Sequence, residues 1–188
     1  MVWRTEGPAG HPGTLAPVSS DLADAVPCVR SPVDTHEIEA IRQLKYAYFR
    51  LLDLKRFTEL GELLTDDVTT AYQSGELCQN GRSDVVAFLQ QSLGDPGIVT
   101  MHNGHHPEIT VTADGQATGR WYLEDRVIFA AHDFDLHGTA LYDDRYTKVD
   151  GTWKIAHTGY QRIYEERRRY SSGAVISITA GGATTTFS

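Results

Sequence analysis

Between residues 35 and 93 apolar side chains recur at intervals of three and four, and from residue 98 onward at every second position. These are the periods of amphipathic helices and of half-buried strands. Ile38, Ile41, Leu44, Tyr48 and Leu51/Leu52 put one apolar face on a helix that opens at Asp34, three residues before Glu37, in the spacing of a capping box. A shorter helix carrying Phe57, Leu60, Leu63 and Leu64 stops at Asp66-Asp67, and Val68 to Tyr72 alternates as a strand. A third helix over about 83–93 carries Val85, Val86, Phe88 and Leu89. The strands that follow are 98–102, 108–113, 116–131, 138–149 and 152–165. Asp114-Gly115 and Asp150-Gly151 are hairpin turns, because that dipeptide suits the positive φ angles of a two-residue loop. Helices first and an antiparallel sheet after predict an α+β fold with the helices on one face.

Both ends depart from this pattern. Five of the seven prolines fall in residues 1–34, a stretch without periodicity that reads as a disordered tail ahead of a single domain over 35–170. Residues 171–188 hold no charge but include the strand-prone run Ala174 to Thr179, which is expected to pack on the pocket or on a neighbouring subunit. The 188 residues carry 25 Asp and Glu against 17 Lys and Arg, a net charge of −8, which argues against a phosphate-binding surface and so against a nucleic-acid partner. Cys28 and Cys78 form no metal or disulfide framework. No apolar run reaches a membrane span, and Arg4 is not followed by the apolar stretch of a signal peptide, so a cytoplasmic chain is expected.

Candidate chemistry concentrates in the strand from 116. One face reads Ala117, Gly119, Trp121, Leu123, Asp125, Val127, Phe129, so Asp125 lies in an apolar row and needs a partner. Candidates are His102 in the 98–102 strand, Tyr48 on the buried face of the first helix, Arg162 in the last strand, and Asp53 at the end of the first helix, where the dipole disfavours a carboxylate. A histidine held by a carboxylate is the usual general base near neutral pH. The run His102-Asn103-Gly104-His105-His106 is not matched by a second ligand pair, so no metal is expected. Nucleophile-elbow, phosphate-loop and dinucleotide motifs are absent from the sequence.

The run Ile41 to Asp53 (IRQLKYAYFRLLD) resembles the first helix of the SnoaL-like branch of the nuclear transport factor 2-like superfamily. MHNGHHPEIT (101–110), ATGRWYLEDRVIF (117–129) and TGYQRIYEE (158–166) are similar to the bacterial bile acid 7α-dehydratases, and more distantly to scytalone dehydratases. The resemblance spans about residues 36–170. It implies a strongly bent antiparallel sheet closed by about three helices, a homotrimer, and a pocket for a rigid polycyclic substrate; a free acid, a coenzyme A thioester and a sterol without a side chain are all compatible with the sequence. The catalytic set it implies falls on Tyr48, Asp53, His102, Asp125 and Arg162, with Tyr72 a pocket tyrosine. Phe134 stands where the pattern would place another pocket tyrosine.

The activity implied is elimination of water from a hydroxylated 3-oxo-Δ4 steroid or bile-acid-like ring, without metal or redox cofactor. His102, oriented by Asp125, would remove the proton, Tyr48 would bond the ketone oxygen or the departing hydroxyl, and Asp53 and Arg162 would hold the set in place. Trp121, Leu123, Phe129 and Phe134 would form the apolar wall. The same pocket would serve an isomerase, a cyclase, a dehydrohalogenase or a non-catalytic binding domain.

Overall fold

The computed structural model describes residues 32–112, 115–180 and 183–187. The tail expected over 1–34 falls almost wholly outside these residues. Helix α1 (Pro32–Asp53) starts two residues before the expected cap, since proline is tolerated in a first turn where its missing N–H has no partner to lose. A single-turn helix, α2 (Phe57–Gly61), follows and gives way to strand β1 (Leu64–Ala71). The second helix is therefore shorter than its apolar spacing suggested. Leu64 and Val68 are buried from a strand that runs parallel to the later strand Thr152–Arg169, with Leu64 opposite Ile155 and Ala71 opposite Gly159. Helix α3 (Arg82–Leu93) matches the expectation within one residue.

The rest is sheet: β2 (Ile98–Val111), β3 (Gln116–Phe129), β4 (Phe134–Val149), β5 (Thr152–Arg169), β6 (Val175–Ala180) and β7 (Ala183–Thr186). They pair antiparallel in chain order, with β1 added parallel to β5. This is the α+β architecture the sequence pattern predicts. Asp150 and Gly151 join β4 to β5 with φ of 49° and 79°, the two positive angles such a hairpin requires. The other turn reaches Gly115 at φ 67°, and Asp114 lies outside the described residues.

Three strands run further than the periodicity indicates. β2 is continuous through 103–107, the gap between two strands expected from the pattern: a shift of register between His105 and Glu108, with His106 at φ 47°, absorbs Pro107 as a bulge on an edge strand. β4 begins at Phe134 and β5 ends at Arg169 because Phe134 pairs with Arg169 and Asp135 with Arg168. Buried Asp135 then takes Arg126 from β3 and Arg168 from β5 as charged partners, which offsets its loss of water. β6 pairs with β5 from Tyr164 to Arg168, and β7 pairs with β6, so the uncharged C-terminal run adds two strands to the sheet.

The core lies between the sheet and the helices. Ala117, Trp121 and Leu123 face inward from β3 into one core with Ile41, Leu44 and Phe49 of α1. Alternate residues of the same strands face outward, Arg120 and Tyr122 among them. Among the described residues no helix is long and apolar enough to cross a membrane.

Candidate active site

A cavity of about 250 Å³ opens between α1, α3 and the inward face of the sheet. Tyr48, Tyr72, His102, Asp125, Phe129 and Arg162 all line it, drawn from α1, the end of β1, and strands β2, β3 and β5. Those positions are far apart in the chain, and the bend of the sheet around α1 brings them together.

Asp53 is the last residue of α1, and its carboxylate accepts three hydrogen bonds from β2. These come from Thr100 Oγ1 at 2.9 Å, the backbone N–H of His102 at 3.0 Å, and His102 Nδ1 at 2.6 Å. Burial would raise the Asp53 pKa, but the bonds from His102 and Thr100 outweigh it and hold the carboxyl below its ordinary value. With Nδ1 donating to Asp53, the neutral imidazole of His102 keeps Nε2 as an acceptor. The ring lies parallel to Phe49, with centroids 6.4 Å apart.

Asp125 serves a different partner from the one expected. It is the cross-strand neighbour of His102, yet both its oxygens are taken by Arg162, Nη1 to Oδ1 at 2.6 Å and Nη2 to Oδ2 at 2.7 Å. Planar fork against planar carboxylate is the strongest geometry open to the pair, so the histidine turns to Asp53 instead. Burial works against the Arg162 charge, and the bonds to Asp125 override it, so its pKa rises. The orienting carboxylate of His102 is thus Asp53, and Asp125 anchors Arg162.

Tyr48 and Tyr72 share a hydrogen bond of 2.9 Å between their hydroxyls. Burial raises the pKa of both, which keeps them protonated and able to donate.

The apolar wall differs in part from expectation. Phe129 belongs to it, but Trp121 and Leu123 are buried in the core, where Trp121 Nε1 donates to the Tyr146 hydroxyl at 2.9 Å. Phe134 stacks on Phe129 at 4.7 Å from outside the lining, so its missing hydroxyl removes no contact from the cavity. Lining residues that the sequence reading missed include Gln73, Phe88, Leu136, Tyr142 and Tyr160. Tyr160 had a signal, being two residues from Arg162 and therefore on its face of the strand. Tyr142 has none, because a tyrosine on the inward face of a strand fits the core as well as a cavity wall, and it is part of both. Among the described residues no group of three or more His, Cys, Asp or Glu is placed to hold a metal ion.

An acceptor nitrogen backed by a carboxylate, beside two protonated phenols in an apolar cavity, suits removal of a carbon-bound proton with the resulting charge held on oxygen. Residues 33–159 match the family model of a SnoaL-like domain. Solved structures of similar fold include a protein provisionally named a scytalone dehydratase from Novosphingobium aromaticivorans, 21% identical, with a TM-score of 0.66 over 80% of this chain and 96% of that one. The hexachlorocyclohexane dehydrochlorinase LinA-type3 of Novosphingobium barchaimii aligns with 16% identity and a TM-score of 0.63, over 70% of this chain and 90% of its own. An NTF2-like protein with a cystatin-like fold, also from N. aromaticivorans, aligns with 19% identity and a TM-score of 0.58, over 70% and 84%. At these identities the likeness is one of fold.

Proposed function

The chain belongs to the SnoaL-like family, whose model matches more than half of it, and from that premise we propose that it is a carbon–oxygen lyase removing water from a hydroxylated cyclic ketone. The observation that carries the reading is the His102–Asp53 pair at 2.6 Å, set on the same cavity as the Tyr48–Tyr72 hydroxyls. In a 3-oxo-Δ4 ring the conjugated ketone acidifies the carbon next to the one bearing the hydroxyl. His102 Nε2 takes that proton, and the electrons of the C–H bond flow to the ketone oxygen as an enolate. Of the two phenols, one donates to the other, which leaves one hydroxyl proton for the enolate oxygen. Collapse of the enolate forms the new C=C bond and breaks the C–O bond. The imidazolium returns its proton to the departing hydroxide, so water leaves and the dyad is restored. The enone is its own electron sink, so the reaction calls for neither a metal nor a redox cofactor.

The substrate class in this proposal is a steroid or bile-acid-like ring system. Three things support it: the apolar wall of Leu89, Phe88, Phe129 and Leu136, the resemblance of segments 101–110, 117–129 and 158–166, and the bidentate use of Arg162 by Asp125. The last leaves no free guanidinium fork for a carboxylate inside, so an acyl tail, free or as a coenzyme A thioester, lies outside the cavity. The assembly proposed is a homotrimer.

The test is to incubate the protein with 3-oxo-Δ4 steroids and bile acyl derivatives bearing 7α-, 7β- or 12α-hydroxyls, following mass and ultraviolet absorbance. Loss of one water with growth of an extended dienone band, abolished in His102→Ala, is the expected result. A product of unchanged mass would replace the lyase by an isomerase. The hexachlorocyclohexane dehydrochlorinase has a similar fold, so a chlorinated ring is included. Turnover of that compound alone would overturn the leaving group proposed here.

A further inference from the structure

Lys45 sits on the core-facing side of α1, between Leu44 and Tyr48, and is fully buried. Its Nζ lies 2.7 Å from Asp144 Oδ2 and 3.3 Å from Thr158 Oγ1. The same ammonium is 3.7 Å from the centre of the Tyr142 ring and 4.9 Å from those of Tyr48 and Phe49. Asp144, also fully buried, accepts from the Tyr146 hydroxyl at 2.7 Å, and Tyr146 accepts from Trp121 at 2.9 Å. The result is one polar chain through an otherwise apolar core, linking α1 with β3, β4 and β5.

Stability does not account for it. A buried ion pair loses its water on both sides, and apolar residues of similar volume often hold a fold as well or better. Here the cost is higher, because Asp144 Oδ1 has no hydrogen-bond partner among the described residues. Burial lowers the Lys45 pKa, with Asp144 opposing it. What the arrangement does achieve is to aim a cation at two walls of the cavity, since Tyr142 and Tyr48 both line it. The Asp144 charge works against this, pushing the Tyr48 and Tyr142 hydroxyls toward higher pKa, and the Tyr146 hydroxyl meets part of that charge. A cation against the face of a phenol draws electron density from the ring and its oxygen, which makes the hydroxyl a stronger hydrogen-bond donor.

We propose that Lys45 is a positioning residue of the active site: paired with Asp144, its ammonium fixes the Tyr142 and Tyr48 rings and strengthens their hydroxyls as donors to negative charge forming on a bound oxygen. The inference rests on the reading that an enolate forms in this cavity. Its test does not need turnover. The probe is 2-naphthol, a bicyclic phenol whose ultraviolet absorption reports its ground-state ionisation, with 2-methoxynaphthalene as a control of similar shape that carries no ionisable hydroxyl.

Lys45→Met alone strands the Asp144 charge in the core, so the decisive variant is Lys45→Met/Asp144→Asn, with folding checked by circular dichroism. The expected outcome is that this variant binds 2-naphthol more weakly and ionises less of it, by less than the roughly tenfold of one screened charge, because the Asp144 anion is removed together with the Lys45 cation. Affinity for the methoxy compound stays the same. Equal loss for both probes would mean a structural role only, and no loss for either would mean no role; each overturns the proposal. It also fails if the parent protein ionises no more of the bound naphthol than water does. An absence of steroid turnover would sink the dehydratase reading and leave the naphthol comparison to decide on Lys45.

Discussion

Asp53 does two jobs with one carboxylate. It orients the His102 ring through Nδ1, and it caps the β2 backbone at the His102 N–H. An amide in its place can offer its nitrogen to the ring and reverse the tautomer, turning Nε2 from acceptor to donor. Asp53→Asn is therefore expected to cut kcat by about 10²-fold or more, with KM little changed, in the steady-state assay that first detects turnover. The same substitution has a signature in stability. Because the folded-state pKa of Asp53 is depressed, its contribution is present above the unfolded-chain value of about 4 and is lost as pH falls through the lower folded value. Urea midpoints measured at pH 7 and pH 3 should fall further apart for the parent than for Asp53→Asn. An equal fall would show that the pair does not shift Asp53. The sequence identified both carboxylates and the histidine but paired them wrongly. His102 and Asp125 are neighbours across two strands, and only the arrival of the Arg162 fork on Asp125 decides the matter. No spacing along the chain encodes that competition.

At the level of elements, the seam between α1 and β2 is packed as tightly as the dyad requires. A Cβ on Gly104 would stand 2.5 Å from Cε2 of Phe49, the ring that lies parallel to His102. Phe49 is also edged by Tyr48 and Tyr142, each at 5.8 Å between centroids, so it has no free direction in which to retreat. Overpacking of this kind costs about 1–3 kcal/mol. Gly104→Ala should lower the melting temperature by several degrees and shift the imidazole resonances of His102 in a nuclear magnetic resonance spectrum. A variant with unchanged melting and unchanged imidazole signals would show that the seam yields. The glycine was visible in the sequence, but its use was not, because 103–107 carries no apolar alternation and a proline ends it. Strand pairing there comes from β3, register by register, and tertiary pairing overrides weak local preference. The same holds for Phe134 to His137, which joins β4 because β3 and β5 both pair with it. Elements with strong periodicity or a dedicated turn, such as α1, α3 and the Asp150-Gly151 hairpin, were legible because their signal is local.

On the scale of the whole molecule, the outward face of the sheet presents a problem that the cavity side does not. Val99, Met101, Tyr122, Leu141 and Ile163 are exposed there, and Tyr122 and Leu141 are direct cross-strand partners. Exposed apolar residues are ordinary one at a time; Arg126, Glu124 and His105 separate Val99 and Met101 from the rest, so the patch suited to a second chain is the cross-strand pair Tyr122 and Leu141. In the homotrimer proposed above, the outward face of each copy would be buried against its neighbours, on the side of the sheet opposite the cavity. Sedimentation of the purified protein should therefore give a single species of three chains. Tyr122→Glu/Leu141→Glu should shift it toward one, since two like charges brought side by side and desolvated in a contact oppose association. His102 faces the other side of the strand pair, so the separated chains keep their fold by circular dichroism and the 2-naphthol binding of the cavity. A parent protein that sediments as a monomer would remove the trimer, and a double variant that stays trimeric would place the contact on another face.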